Sequence, residues 1–224
     1  VLKLTATLLS AGLLATTAPG MPFVHGFSAG ETIRYRYALD VAAMSDLTHY
    51  RGTTVLEVKT LEPDVTGTEH RTMETPAQNL TRAFHLRPNG VLAFEGGKEA
   101  ANNYVTYDSR RYCPLPASIT VGMTWTCATQ TAGLYAGGDA RVRLVSMAGS
   151  EATLEIDGTG AKPPRVEHDP DTGKSFTSRQ TVSWHEVVRF KDGLVQSSVR
   201  EQLTKTVVEN AVLQLRVTAK YDRL

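Results

Sequence analysis

The feature that most limits the fold of this chain is a two-residue hydrophobic period held over unusually long runs. Between 176 and 190, Phe176, Val182, Trp184, Val188 and Phe190 fall on one face, against Thr177, Arg179, Thr181, Ser183, His185 and Arg189 on the other. Successive side chains of a strand point to opposite faces, so this alternation predicts a strand buried on one side. Lys191-Asp192-Gly193 predicts a tight hairpin turn, because Asp-Gly tolerates the backbone that joins antiparallel strands. A second run follows, with Val195, Val199 and Leu203 expected inward and Gln196, Ser198, Arg200 and Gln202 outward. After Glu209-Asn210, a third run is expected to place Ala211, Leu213, Leu215, Val217, Ala219 and Tyr221 inward, with Gln214, Arg216, Thr218 and Lys220 outward.

The N-terminal part repeats the pattern, with Ile33, Tyr35, Tyr37, Leu39 and Val41 alternating against Thr32, Arg34, Arg36 and Asp40. Further strands are expected at 48–61, 65–74, 79–86, 90–95, 121–130, 139–147, 151–158 and 163–168. They are separated by turn-forming clusters at Pro63-Asp64, Pro88-Asn89-Gly90, Gly137-Gly138-Asp139 and Ala148-Gly149-Ser150. Only 97–107 carries a short helical signal, weakened by Asn102-Asn103. About a dozen strands without amphipathic helices must cover their own apolar face. The expectation is an all-β domain, a long antiparallel meander forming a strongly curved sheet or half-barrel. Runs of this length fit a bent sheet better than a sandwich, whose strands average about 5–6 residues.

Residues 1–18 combine one cation, Lys3, an apolar stretch from Leu4 to Ala15 and small residues after it, the pattern of a secretory signal peptide. That stretch is shorter than the about 20 apolar residues that cross a bilayer, and no later segment approaches such a length. Pro19 disfavours cleavage directly after Ala18, so the cut is expected a few residues later, between Gly20 and Gly30, with 19–30 a flexible N-terminal segment and 31–224 a single β domain. The first residue, Val1, fits either a trimmed chain or a GTG start; the second would point to a bacterial source, and the leader leads us to expect the mature protein in the periplasm or outside the cell.

Without Lys3 the basic residues number 23, equal to the 23 acidic ones. The mature chain therefore has no positive surplus with which to hold nucleic acid. Its two cysteines, Cys113 and Cys127, are expected to form a disulfide in an oxidising compartment, contributing on the order of 3 kcal/mol. Two thiols without neighbouring histidines cannot complete a tetrahedral metal site.

The segment Tyr112-Cys113-Pro114-Leu115-Pro116-Ala117-Ser118-Ile119-Thr120-Val121-Gly122-Met123-Thr124-Trp125 runs from an extended proline entry through a Val-Gly turn into a strand that begins with a Trp expected to be buried. Together with Phe190-Lys191-Asp192-Gly193-Leu194-Val195-Gln196-Ser197-Ser198 it resembles bacterial envelope proteins of unknown function related in architecture to the lipoprotein-carrier group, the LolA and LppX-like curved sheets. Met123 stands where that pattern has an acidic residue. The resemblance implies a concave face that accepts acyl chains or another hydrophobic partner, and it carries over no catalytic residue.

No nucleophile elbow, phosphate loop or dinucleotide fingerprint occurs, so an enzyme is not expected and no cofactor is implied. The six histidines lack metal-binding spacing. Glu167-His168-Asp169-Pro170-Asp171-Thr172-Gly173-Lys174 misses the oxygen and glycine spacing of a calcium loop and predicts a polar hairpin turn. His185 and Glu186 are adjacent on a strand and point to opposite faces. Glu186 therefore falls on the apolar face, where it either meets a polar headgroup or another chain at a cavity mouth or sits exposed on an edge strand. The chain ends without the terminal aromatic of an outer-membrane barrel.

Two functions remain. One is an exported, non-enzymatic binding or carrier protein for a hydrophobic or lipid-linked ligand, with Tyr35, Tyr37, Trp125, Val182, Trp184, Val188 and Phe190 lining the concave face. The other is a structural or interaction domain of the cell envelope with a filled core, whose partner is an envelope protein.

Overall fold

A computed structural model describes residues 26–74, 77–86, 92–95, 116, 118–131, 135–168, 171–209 and 211–224, with backbone alone for 92–95, 128–131 and 135–137. Within them the chain forms β1 (Thr32–Ala43), β2 (Asp46–Thr60), β3 (Val65–Glu74), β4 (Ala77–Leu86), β5 (Leu92–Glu95), β6 (Thr124–Thr131), β7 (Tyr135–Ala148), β8 (Glu151–His168), β9 (Ser175–Lys191), β10 (Leu194–Val208) and β11 (Ala211–Arg223). All eleven join one antiparallel sheet in the order β5-β4-β3-β2-β1-β11-β10-β9-β8-β7-β6. Two meanders are thus sewn together where β1 pairs with β11, setting Tyr37 opposite Tyr221 and Val41 opposite Val217. The sheet stays open, with β5 and β6 at its edges. The all-β meander expected from the hydrophobic period is what the chain adopts.

Neighbouring strands lie about 4.8 Å apart, so a flat sheet would hold β10 about 24 Å from β4. The sheet is far from flat. The backbone of Gly26 lies against Asp192 and Gly193 in the β9–β10 turn, so closely that a Cβ there would collide with the Asp192 carbonyl. The next residue, Phe27, packs its ring 6.4 Å from that of Phe84 on β4. Two consecutive residues therefore bridge strands that only a strong curl brings together. Tyr221 on β11 likewise lies within the electrostatic reach of Glu69, Arg71 and Arg82 on β3 and β4.

Glycines beside aromatic rings shape the inner surface of this curl. Gly52, Gly67 and Gly158 stand directly opposite Tyr37, Phe84 and Trp184 on the neighbouring strands. Each ring lies over its glycine in the space that a Cβ would occupy. The rings thus lie flat along the sheet on its concave side. Ile33, Leu39, Leu56, Leu144, Leu154, Ile156, Val188 and Phe190 complete the buried face.

The turns follow the local chemistry. Asp192 and Gly193 both take positive φ, 52° and 75°, as a two-residue hairpin with the strands' right-handed twist requires. Gly122 and Gly149 take positive φ at the expected Val-Gly and Ala-Gly-Ser turns.

Several strand assignments need correction. Residues 151–158 and 163–168 belong to one strand, β8, because its register shift between Lys162 and Arg165 absorbs Pro163 and Pro164 without ending the pairing. Gly137-Gly138-Asp139 lies inside β7 rather than in a turn, and Gly138 lets that strand pass against Thr159. On β10 a register shift between Val195 and Ser197 reverses the expected faces. Ser198, Arg200, Gln202 and Thr204 turn inward and are buried, whereas Val199, expected inward, is 41% exposed, and Leu203 points outward. On β11 Val217, Ala219 and Tyr221 are buried as expected, but Ala211 and Leu213 are exposed.

Burial of the inner face stops abruptly at Gly160, Val182, Thr204 and Val217. Beyond these residues β8, β9, β10 and β11 continue as a four-stranded apron that is exposed or half-buried on both faces. The short helical signal at 97–107 and the turn at 88–90 lie outside the described residues.

Candidate functional site

The residues expected to line the concave face do share it. Tyr35 and Tyr37 come from β1, and Val182, Trp184, Val188 and Phe190 from β9; each is 4% exposed or less. Trp125 on β6 stands opposite Val142, packs against the same core and is half-buried, less than the sequence pattern suggested. Apolar residues of this face are thus contributed by strands on both sides of the β1–β11 seam.

The hydrophobic period concealed two polar clusters inside this wall. The first centres on Glu69 of β3, which is 0% exposed. Arg71 donates from Nη2 to Glu69 Oε1 at 2.9 Å, and Arg82 of β4 donates from Nε to Glu69 Oε2. Burial by itself would raise the Glu69 carboxyl, but the Arg71 and Arg82 charges and hydrogen bonds outweigh it and hold the group below its ordinary value. Beside them, Tyr37 reaches over Gly52 and donates its hydroxyl to the Thr72 carbonyl at 3.2 Å. The rings of Tyr37 and Tyr221 stack with centroids 5.7 Å apart, and the Arg71 guanidinium sits 5.9 Å from the Tyr37 centroid. Burial raises both phenols. Both remain protonated over the whole physiological range.

The second cluster lies on β9 and β10. Glu186 is 0% exposed on an interior strand, which overturns an edge-strand exposure for it. Ser198 donates its hydroxyl to Glu186 Oε1 at 2.7 Å. Arg200 stands directly opposite Glu186 in register and donates to Gln202 Oε1 at 2.8 Å. Its guanidinium also covers the Trp184 ring at 4.6 Å, so Arg200, Trp184 and Gly158 form a stack on the sheet. Sequence reasoning missed this cluster because the bulge moved Ser198, Arg200 and Gln202 from the outer face to the inner. It missed the first because Val65, Gly67, Glu69, Arg71 and Met73 keep the two-residue period but not its hydrophobicity.

The outer face carries a different chemistry. His185 points away from Glu186, as adjacent strand residues must, and hydrogen-bonds Asp157 at 2.8 Å. His49 and Arg51 both hold Asp40, at 2.7 and 2.9 Å. The hydrogen bonds from His49 and then Arg51 lower the Asp40 carboxyl. A shallow groove of about 580 Å³ borders His185, Ser183, Glu201, Leu203 and Arg216 on this side.

Among the described residues no group of three or more His, Cys, Asp or Glu side chains is placed to hold a metal ion. The Glu167–Lys174 segment, of which 169 and 170 lie outside the described residues, joins β8 to β9, and Ser175 meets His168 across the turn at 2.8 Å. Cys127 on β6 is not a free thiol; Cys113 lies outside the described residues. No helix among the described residues is long and apolar enough to cross a membrane. No family model, curated protein or solved structure matches the chain.

Proposed function

We propose that this is an exported, non-enzymatic binding or carrier protein that takes a hydrophobic or lipid-linked ligand on the concave face of its curled sheet. The observation that carries the reading is the composition of that face. Its aromatic and aliphatic wall, built from Tyr35, Tyr37, Val182, Trp184, Val188 and Phe190, is interrupted by two buried polar clusters at Glu69–Arg71–Arg82 and Glu186–Ser198–Arg200. An apolar surface with a few fixed polar groups suits an amphiphile, whose tail needs the first and whose head needs the second. The short likeness to the lipoprotein-carrier sheets points the same way. Export to the periplasm or beyond rests on the signal-like residues 1–18, and a Cys113–Cys127 disulfide fits that compartment.

The reading is tested by extracting the purified protein with organic solvent and identifying bound amphiphiles by mass spectrometry. A stoichiometric lipid or acyl compound is the expected result. Protein that is ligand-free and fails to take up a fluorescent fatty acid overturns it. The second reading, a structural or interaction domain with a filled core, draws its support from the near-zero exposure of the same wall residues. It predicts the ligand-free outcome.

A further inference from the structure

The buried wall stops at Gly160 and Val182, but its inner face continues along β8 and β9 into the apron. There its chemistry changes. The next inward pair is Lys162 and Gln180, the one after it Arg165 and Ser178, and the third Glu167 and Phe176. Regular alternation would turn Arg165 outward. The extra residue that β8 carries across Pro163 and Pro164 brings Arg165 opposite Ser178 instead, and so sets two cations on one face. The Ser178 hydroxyl donates to Glu167 Oε1 at 2.8 Å, as residues sharing that face can. Inward pairs follow one another about 7 Å apart along β9, so Lys162 stands about 7 Å and Arg165 about 14 Å beyond the wall, with the Glu167 carboxylate farther out.

Lys162, Gln180, Ser178 and the neighbouring Thr206 of β10 are half-buried. Burial, and then the Arg165 charge, lower the Lys162 ammonium from its ordinary value. An anion between the two cations would offset both causes. Gln180 supplies a further group: its Nε2 donates to Thr206 Oγ1 at 3.0 Å, whereas its buried Oε1 has no hydrogen-bond partner among the described residues. Because a hydroxyl both donates and accepts, the amide can turn over on Thr206 and offer its NH2 to a ligand.

We propose that Lys162, Arg165 and Gln180 hold the anionic head, a phosphate or a carboxylate, of the amphiphile whose tail lies on the concave wall. The inference rests on that reading of the wall and decides where the charged end of the ligand goes. The two buried clusters are paired within themselves, Glu69 with Arg71 and Arg82, and Glu186 with Ser198. They suit uncharged polar atoms of a ligand, such as an ester or a hydroxyl. A full charge brought among them would have to displace a partner or lie desolvated. At the mouth, one to two inward pairs beyond the wall, the charge keeps contact with water and meets two cations.

Calorimetric titration of the purified, lipid-extracted protein with decyl phosphate, decanol and inorganic phosphate tests this. Decyl phosphate is expected to bind at least about tenfold more tightly than decanol, and inorganic phosphate far more weakly than either. Lys162→Gln and Arg165→Gln should each weaken decyl phosphate about tenfold and leave decanol unchanged. Lys205→Gln removes the same charge from the outward face, where Lys205 stands opposite Thr181, and should alter neither. Circular dichroism and denaturation midpoints close to the parent's show that each variant is folded. Equal affinity for decyl phosphate and decanol, or a loss shared by both in the variants, overturns the proposal while leaving the wall as an amphiphile site. Inorganic phosphate that binds as tightly as decyl phosphate also overturns it, because the site then takes a free anion. If neither amphiphile binds, this proposal and the reading of the wall fall together.

Discussion

One strand, β9, runs through two environments. From Val182 to Phe190 every second residue is buried, and Trp184 lies between Gly158 and Arg200. From Ser175 to Thr181 the same two-residue period continues, yet no residue is fully buried. Hydrogen-bonded partners are present along the entire strand, from His168–Ser175 to Glu151–Lys191. Backbone pairing is therefore shared by both ends, and what separates them is cover. The inner end is closed over by the curl of the sheet, whereas the outer end projects past it. The difference teaches that in this protein the sheet exists wherever strands pair, but a core exists only where curvature returns the sheet to itself.

That contrast makes unequal demands on stability, and the largest effect is expected at Glu69. Glu69→Ala leaves two guanidiniums in the apolar wall without their carboxylate and should cost about 3–5 kcal/mol. Urea denaturation checks it; a loss under 1 kcal/mol would mean that the curled end tolerates buried charge as easily as the apron does. Trp184→Ala should cost about 3–5 kcal/mol by opening a cavity over Gly158, in contrast to Val212→Ala in the apron, expected within about 0.5 kcal/mol. Equal shifts in the two midpoints would erase the distinction between the ends.

Acid should act on the curled end as well. The folded Glu69 carboxyl is held below its ordinary value, so its ion pairs contribute stability above the unfolded carboxylate range. That contribution is lost as pH falls from the ordinary carboxylate range through the depressed folded value. Denaturation midpoints measured from neutral pH downward should fall accordingly in the parent, and Glu69→Gln, already destabilised at neutral pH, should show a shallower fall. An unchanged slope in that variant would remove Glu69 from the account.

A smaller effect is expected from Ser198→Ala, which takes away the hydroxyl that donates to the buried Glu186 and should cost about 1–3 kcal/mol. Hydrogen exchange gives the finest comparison. Amides of β9 from Val182 to Phe190 should exchange only on global opening, and those from Ser175 to Thr181 orders of magnitude faster, although both are paired.

Much of the fold is legible in the amino-acid order alone. The alternation of Ile33, Tyr35, Tyr37 and Leu39 and of Val182, Trp184, Val188 and Phe190 identifies the inward faces, because a strand's side chains alternate regardless of what lies opposite. Asp192-Gly193 locates a hairpin through its tolerance of positive φ. The candidate wall is legible to the same extent, as a set of apolar positions. Its polar groups are not. A single extra residue between Val195 and Ser197 inverts β10, and nothing in the hydrophobicity of Val195, Val199 and Leu203 announces it.

The sequence by itself determined that the chain is all β, where most strands turn, and which face of β1 and β9 is apolar, since these follow from local backbone preference and a two-residue period. Only the tertiary structure decided that the two meanders join through β1 and β11, that the sheet curls until Phe27 meets Phe84, and that Glu69 and Glu186 are buried with their partners. Those outcomes depend on glycines placed opposite aromatic rings on other strands and on register shifts between strands. They are properties of pairs of residues distant in sequence, which a period along one strand does not encode.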